Sequence, residues 1–300
     1  MTTAPPPPLR LIGLRRRVAD LDRAVDFYCG ALGFFRDAPA PPPPPGKRPT
    51  QIPPKAERGM RLRLGDELLE LVAPPASADR ASVPPDTRAP VAIQDPGFRH
   101  LAIVVSDMDL AFARLQAFAP RAISLGGPVR LPQEAGGVLA FKFRDPDGHP
   151  LELIQFPDGA GPTRWHAAAA REGAGPTLGI DHCAITVADV ARSVAWHADN
   201  LGWTVVARHV NDGPGQDALD GVPGTVVDVV TLSTTMPGTP HLELLGYRHP
   251  AVGPRTDAPG SDGGSRLLLD ASGESAPGKR SGGRWTELVD PDGHVTLLRR

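Results

Sequence analysis

Three glutamates stand between leucines in short segments that read as strands. They are Glu70 in LLELV, Glu152 in PLELI and Glu243 in HLELL. Successive side chains of a strand point to opposite faces, so the leucines would pack into a core while each carboxylate faces the other side. A carboxylate on the concave face of a closed sheet is costly unless a cation or a donor meets it. The three segments therefore predict cations or strong donors above the sheet.

Two histidines occupy equivalent places in the chain. His100 and His182 each begin an alternating segment, seven residues before an aspartate. A lone histidine at a strand start is more often a hydrogen-bonded surface residue than a ligand, but its repetition beside an inward glutamate favours metal binding. His149 and His294 follow DPDG turns, and we interpret them as exposed turn residues.

The elements that would position these residues recur along the chain. Residues 10–35 and 178–206 share an alternating strand, a Val-Ala-Asp turn, an amphipathic helix and a Leu-Gly-aromatic end. We expect the turn aspartates to cap the helices and the glycines to end them. The capping residues are Asp20 and Asp189, and the terminating residues are Gly33 and Gly202.

Two further copies are present. Residues 98–118 repeat the strand, the aspartate turn at Asp107 and the helix, and residues 141–156 close that copy with two strands around a DPDG turn. Residues 285–300 repeat the same ending. They complete a fourth, abbreviated copy, which has a candidate first strand at 266–269 and no room for a full helix.

These motifs resemble the vicinal oxygen chelate superfamily, which includes glyoxalase I, extradiol dioxygenases, methylmalonyl-CoA epimerase and the fosfomycin and bleomycin resistance proteins. The resemblance rests on the HxxxxVxD start, the LGF or LGW helix end and the DPDGHxLEL finish. It implies an α+β fold in which tandem βαβββ modules pair into two cupped, open barrels. It defines the reaction weakly, because this fold hosts several chemistries.

The resemblance also implies where a metal would bind: at the start of each module's first strand and near the middle of its last strand. The first positions are Gly13, His100, His182 and, in the abbreviated module, Ser265 or Arg266. The second positions are Glu70, Glu152, Glu243 and Leu297. The implied ligands are thus His100, Glu152, His182, Glu243 and Glu70, for nickel, zinc, cobalt, manganese or iron.

Module pairing decides which of these ligands meet. If consecutive modules pair, one cup holds Glu70, His100 and Glu152, and the other holds His182 and Glu243. If the two middle modules pair, one cup holds both histidines with Glu152 and Glu243. We favour middle pairing, because that complete set resembles the site of a bacterial-type glyoxalase I. The linker is long enough for either arrangement.

A glyoxalase-like reaction is the first functional hypothesis. A Lewis acid would bind two vicinal oxygens of a substrate and stabilise an enediolate, while Glu152 or Glu243 moves the proton and converts a hemithioacetal to a thioester. An extradiol dioxygenase, which uses two histidines and one carboxylate on iron, is the second hypothesis.

The third hypothesis is a metal-free binding or resistance protein that holds a drug in its cup. The first and fourth modules would supply an uncharged cleft for it. Polar residues of the segment 208–220 would line either cup, with Asn211 and Gln216 as the substrate-binding candidates. The same segment is also compatible with a solvated hairpin loop.

Composition restricts the remaining possibilities. The chain has 300 residues, 40% of them hydrophobic, and a formal net charge of −2, so we expect a small-molecule substrate and neither nucleic acid nor membrane as partner. Two distant cysteines and no apolar leader suggest a cytoplasmic protein, either monomer or homodimer. Along the sequence we expect one domain at 9–157 (modules 9–73 and 97–157), a linker at 158–177 and a second domain at 178–300 (modules 178–247 and 263–300).

Overall fold

The computed structural model describes residues 9–38, 58–73, 91–171, 173, 175–234, 240–253, 265–271 and 285–299. The proline run at 41–45, which the sequence predicts to be polyproline II, lies outside the described residues. The first module has β1 (Arg10–Arg17), α1 (Leu21–Leu32), β2 (Phe35–Ala38), β3 (Arg58–Leu64) and β4 (Glu67–Ala73). The second has β5 (Arg99–Val105), α2 (Met108–Gln116), β6 (Arg121–Ala122), β7 (Val129–Arg130), β8 (Leu139–Arg144) and β9 (Pro150–Gln155).

The linker and the second half of the chain follow. The linker contains α3 (Thr163–Ala169). The third module has β10 (Thr177–Thr186), α4 (Val190–Leu201), β11 (Thr204–Asn211), α5 (Gly213–Asp220), β12 (Val226–Ser233) and β13 (His241–His249), and the fourth has β14 (Ser265–Asp270), β15 (Trp285–Val289) and β16 (Val295–Arg299). The sequence predicts no full helix in the fourth module. Most residues between β14 and β15, where such a helix would lie, are outside the described part of the chain.

The modules pair in the exchanged order. One sheet runs β15-β16-β14-β1-β4-β3-β2, and the other runs β11-β12-β13-β10-β5-β9-β8-β6, with β7 beside β8. The first and fourth modules therefore share one sheet, in which β1 is antiparallel to β14, and the second and third share the other, in which β5 is antiparallel to β10. Each sheet takes strands from both sides of the linker, so the segments 9–157 and 178–300 divide the sequence and not the sheets.

Local signals place the helices as expected. The side chain of Asp20 accepts hydrogen bonds from the backbone at the start of α1, and Asp189 does the same for α4. Gly33 and Gly202 end these helices in the left-handed region, with φ of 72° and 68°. A side chain with a Cβ rarely adopts that conformation, which explains why glycine stands at both ends.

The helices α1, α2 and α4 cover one face of the sheets. Their apolar stripes join a core that spans both sheets, and this core includes the leucines on either side of the three glutamates. These leucines are Leu69, Leu71, Leu151, Leu153, Leu242 and Leu244. Because side chains alternate along a strand, the glutamates point to the concave faces, as the sequence predicts.

The two DPDG turns join one sheet to the other. Asp147 accepts a hydrogen bond from the backbone N–H of Ala19, and Asp292 accepts one from Ala188, so each turn docks on a Val-Ala-Asp turn of another module. His149 lies 2.8 Å from the carbonyl oxygen of Arg17. His294 lies 2.9 Å from that of Thr186 and is only 2% exposed. The prediction of exposed histidines is therefore wrong for His294, because the docked module covers it, and His149 is half-buried rather than exposed.

Two segments differ from their expected form. The linker contains the helix α3 despite its prolines and glycines, and Trp165 of that helix is buried. The segment 208–220, which was compatible with a solvated loop, forms the end of β11 and the helix α5.

Cys29 and Cys183 are free thiols. No helix among the described residues is long and apolar enough to cross a membrane.

Candidate metal centre

Four predicted ligands converge on the concave face of the sheet shared by the second and third modules. The Nε2 atoms of His100 and His182 are 3.4 Å apart. Oε2 of Glu152 lies 3.0 Å from Nε2 of His100 and 3.7 Å from Nε2 of His182. Oε2 of Glu243 lies 3.5 Å from Nε2 of His182. The arrangement is buried, since His100 and Glu152 are 3% and 5% exposed.

Strand register produces this convergence. In the central antiparallel pair, His182 lies opposite Ala102 and His100 lies opposite Ala184. The same alanines are the parallel-strand neighbours of the glutamates: Ala102 of Glu152, and Ala184 of Glu243. Both alanines are fully buried. Their methyl groups leave room above the sheet at the point where the four longer side chains meet.

The spacing of the donor atoms suits a cation. A metal about 2.0–2.2 Å from each nitrogen and oxygen places neighbouring donors roughly 2.9–3.4 Å apart. The shortest separations, 3.0 Å between His100 and Glu152 and 3.4 Å between the two histidines, match that requirement. The residues present therefore fit a divalent ion.

A carboxylate behind His182 orients its ring. Nδ1 of His182 is 3.1 Å from Oδ2 of Asp181, and Oδ1 of Asp181 accepts a hydrogen bond from the indole N–H of Trp165. This contact leaves Nε2 of His182 facing the other donors, which is how a carboxylate behind a histidine supports metal ligation. Trp165 belongs to α3, so the linker helix takes part in shaping the site.

A third histidine stands at the more accessible side of the group. Nε2 of His241 is 3.5 Å from Oε1 of Glu243, and its ring packs against that of His182. The side chain of Glu243 is 20% exposed, whereas that of Glu152 is 7% exposed. Glu243 is therefore the carboxylate that a bound molecule can reach more easily. The first-strand and last-strand positions alone did not indicate His241, although its place two residues before Glu243 is visible in the sequence.

The electrostatics of the group are those of a site that needs a cation. Burial acts against ionisation of Glu243, but His182 and His241 lower its pKa to about 2. Burial also opposes ionisation of Glu152, and Lys142 and His100 hold its pKa well below the usual value. Burial lowers the pKa of His100. For His182, Glu243 and Asp181 outweigh burial and raise the pKa well above its usual value. A divalent ion would replace the proton on His182.

A second polar network lies next to the four ligands. Nζ of Lys142, which is paired in register with Glu152, donates to Asp220 at 2.6 Å. Asp220 also accepts hydrogen bonds from Nε2 of Gln216 at 2.7 Å and from the hydroxyl of Tyr247 at 3.1 Å. Asp220 and Gln216 belong to α5, which packs against β7 and β8 of the neighbouring module. The sequence did not identify Lys142, because Phe-Lys-Phe reads as an ordinary alternation.

The two predicted substrate-binding residues lie at the end of β11 and within α5. Gln216 is 3% exposed, and its Oε1 atom has no hydrogen-bond partner among the described residues. Asn211 is half-buried at the end of β11, and its Oδ1 atom likewise lacks a partner in the described part of the chain. Both amides therefore have an acceptor that is not used by the fold.

Glu70, the fifth predicted ligand, lies in the other sheet. Oε2 of Glu70 accepts hydrogen bonds from Nε and Nη2 of Arg15, at 2.9 and 2.7 Å, and Oε1 accepts from Arg61 at 3.0 Å. Gly13, which occupies the histidine position there, has φ of 149°, and a Cβ would collide with the carbonyl oxygen of Leu68. Two guanidinium groups thus compensate the negative charge of Glu70, and we do not assign Glu70 to the metal site.

Register identifies the remaining positions of that sheet. Arg266 lies opposite Arg15, as His100 lies opposite Ala184, and Leu297 is the parallel neighbour of Leu268, as Glu152 is of Ala102. Of the four equivalent positions in the described strands of the first and fourth modules, only one therefore holds a ligand residue, Glu70.

Comparisons with known proteins agree with this architecture. The family model described as the Glyoxalase/Bleomycin resistance protein/Dioxygenase superfamily matches residues 10–153 and 179–274. Among solved structures, glyoxalase I from Zea mays superposes with a TM-score of 0.61 at 18% identity, covering 97% of this chain and 92% of that one. A putative dioxygenase from Bacillus subtilis subsp. subtilis str. 168 superposes with a TM-score of 0.58 at 10% identity, covering 98% and 86%. No curated protein matches the sequence significantly. At these identities the structural likeness shows the fold alone.

Proposed function

The chain belongs to the glyoxalase, bleomycin resistance protein and dioxygenase superfamily, and from that premise we propose that it is a divalent-metal-dependent enzyme of the glyoxalase I type. Its substrate would be a small molecule with vicinal oxygens. The supporting observation is the 3.4 Å separation of Nε2 of His100 and Nε2 of His182, with Glu152 and Glu243 beside them. Both sheets are complete within one chain, so either a monomer or a homodimer can hold this group.

The four side chains have different tasks in this proposal. His100, His182 and Glu152 hold the ion, and Asp181 keeps the ring of His182 in place. When bound, the ion acts as a Lewis acid that polarises a carbonyl and stabilises the enediolate charge. Glu243 is a ligand that also takes the proton next to the carbonyl and returns it to the neighbouring carbon, because it is the more exposed of the two carboxylates. Glu152 can accept the same proton, although its side chain is more enclosed.

The neighbouring polar groups would orient the substrate. Asn211 and Gln216 each have a free acceptor atom, to which a substrate hydroxyl or amide would donate. Lys142 carries a buried positive charge close to Glu152. Burial disfavours that charge, but Asp220 and Glu152 outweigh burial and raise the pKa of Lys142. Lys142 would therefore remain a cation near the developing negative charge of the substrate.

Metal analysis tests this proposal directly. We expect about one tightly held divalent ion per chain in the purified protein, lost in His100→Ala and in His182→Ala. His209→Ala is the matched control, because His209 is exposed on β11 of the same sheet. The loaded protein should convert a hemithioacetal to a thioester, and both histidine variants should lose that activity. Wild-type protein that retains no metal after incubation with nickel, zinc, cobalt, manganese or iron would contradict the proposal and favour a metal-free binding protein.

One observation favours a second candidate function. His100, His182 and Glu152 place one donor atom each within 4.8 Å of one another, and two histidines with one carboxylate are the ligand set of non-haem iron oxygenases. A ring-cleaving dioxygenase would require ferrous iron. Oxygen uptake with a catechol by the iron-loaded protein, without thioester formation, would select this alternative.

A further inference from the structure

A cavity outside the metal centre carries an unbalanced positive charge. It has a volume of about 430 Å³, and Arg121 and Arg144 contribute to its lining. The two arginines lie directly opposite each other on the antiparallel strands β6 and β8. Like charges directly opposite each other destabilise a sheet.

The partners of Arg144 do not neutralise it. Arg144 is 7% exposed, and its Nη1 and Nη2 atoms donate to the carbonyl oxygens of Gly148 and Val91, at 2.9 and 2.7 Å. Within the described part of the chain, no carboxylate forms an ion pair with Arg144 or Arg121. Burial and then Arg121 lower the pKa of Arg144 to about 10, against the opposing effect of Asp145. A buried guanidinium beside a second cation is a receptor for an anion.

The rest of the lining defines the kind of anion. Asp220 also lines the cavity, but its carboxylate already accepts hydrogen bonds from Lys142, Gln216 and Tyr247. The other walls are largely aliphatic, and they include Ile93, Val222 and Pro250. The cavity thus offers two guanidinium groups and an apolar surface, within the range of volumes that hold small organic ligands.

We propose that this cavity is a binding site for small organic anions, with a carboxylate on Arg144 and Arg121 and an aliphatic body against Ile93, Val222 and Pro250. The site is distinct from the metal centre, although Asp220 touches both regions. Arg144 lies two residues beyond Lys142 on β8, which corresponds to about 7 Å along a strand. Binding at the cavity does not require the ion, so its test is independent of the proposed enzymatic function.

Calorimetric titration of the full chain, stripped of metal and exchanged into low-salt buffer, tests the proposal. The probes are the straight-chain carboxylates from acetate to octanoate, inorganic phosphate, and hexanol as an uncharged analogue. We expect carboxylate affinity to rise about fourfold for each added methylene until the cavity is full. Hexanol should bind at least tenfold more weakly than hexanoate, and phosphate more weakly than the longer carboxylates.

Variants locate the binding. Arg121→Gln should weaken hexanoate binding at least tenfold, and its exposed position makes misfolding improbable. Arg144→Gln should weaken it further, and Arg208→Gln, an equal charge change on exposed β11, should leave it unchanged. Equal affinity in all variants would indicate an adventitious ion only and overturn the proposal. No detectable binding, or a loss in His182→Ala with none in Arg121→Gln, would overturn it as well, since the latter result moves the carboxylate to the metal centre.

Discussion

Arg15 donates two hydrogen bonds to one oxygen of Glu70, and it does so from the register position that Ala184 occupies beside Glu243 in the other sheet. The same strand arrangement is therefore filled in two ways. A small alanine leaves space next to a glutamate in one sheet, and an arginine side chain takes that space in the other. A guanidinium group thus compensates the negative charge of Glu70, and no metal ion is needed there.

Removal of Arg15 should destabilise the fold and leave metal binding unaffected. Arg15→Ala leaves a buried carboxylate with Arg61 as its remaining partner, and breaking a buried pair from one side costs about 3–5 kcal/mol. Urea unfolding measures the loss. Arg36→Ala is the control, because Arg36 forms an exposed ion pair with Asp26 and should change the unfolding free energy by less than about 1 kcal/mol. Equal stability of the two variants would refute this interpretation of Glu70.

Removal of the charge behind His182 should weaken metal binding. Asp181→Asn loses the carboxylate that receives Nδ1–H of His182, and such changes lower metal affinity about 10–100-fold. Competition with a chromophoric chelator measures the dissociation constant. Asp228→Asn removes a carboxylate from an ion pair with exposed Arg248 and serves as the control. An unchanged dissociation constant in Asp181→Asn would show that the ring is held by packing alone.

The two carboxylates of the centre should separate binding from catalysis. Glu152→Gln should weaken metal affinity more than Glu243→Gln, because Oε2 of Glu152 approaches both histidines. Glu243→Gln should lower kcat about 10²–10⁴-fold, the usual contribution of a positioned base. Parallel measurement of metal affinity and of kcat at saturating metal distinguishes the roles. If Glu152→Gln instead shows only trace activity at full metal occupancy, while Glu243→Gln keeps its kcat, the base is Glu152.

Asp290 should contribute a loss of stability as pH rises through the acid range. Burial raises the pKa of Asp290 to about 6, and its Oδ2 atom has no hydrogen-bond partner among the described residues. The folded state therefore keeps a proton that the unfolded state loses near pH 4. Stability from this group is fully present below about pH 4 and is lost as pH rises through 6, by roughly 2–3 kcal/mol.

The difference between wild type and Asp290→Asn isolates this effect. The variant should lack that part of the decline when thermal or urea unfolding is followed from pH 4 to pH 7. Asp145→Asn is the matched control in the other DPDG turn, where Asp145 accepts a hydrogen bond from the hydroxyl of Tyr28. That variant should be destabilised through the loss of this hydrogen bond. Identical slopes for wild type and Asp290→Asn would remove Asp290 as the cause.

The sequence predicts the module, the helix caps and the inward glutamates, because each depends on a few neighbouring residues. Asp20 and Gly33 act within one helix, and Leu151, Glu152 and Leu153 need only the alternation of a strand. The pairing of modules depends instead on which strand edges meet across a long linker, and the linker permits both solutions. The favoured middle pairing was an inference from family resemblance, and the sheet topology agrees with it.

Contacts between modules explain what the sequence did not reveal. His294 follows a turn that reads as exposed, yet a turn of the third module covers it. The role of Lys142 is visible only in the structure, where α5 of another module places Asp220 next to it. One usable signal was present: Ala102 and Ala184 stand two residues after the histidines, whereas Arg15 stands two residues after Gly13. Small residues at that place accompany the two histidines, whereas the larger Arg15 and Leu268 stand there in the modules that lack a histidine.

The exchanged pairing also constrains the order in which the strands can pair during synthesis. Strand β5 meets β10 across roughly 80 residues, so the sheet with the histidines can assemble once β13 has left the ribosome. Strand β1 meets β14 across roughly 250 residues, so one edge of β1 stays without its final neighbour for most of synthesis. An open edge of that kind invites pairing with other chains. We expect the nascent protein to depend on a chaperone, or on slow elongation, during that interval.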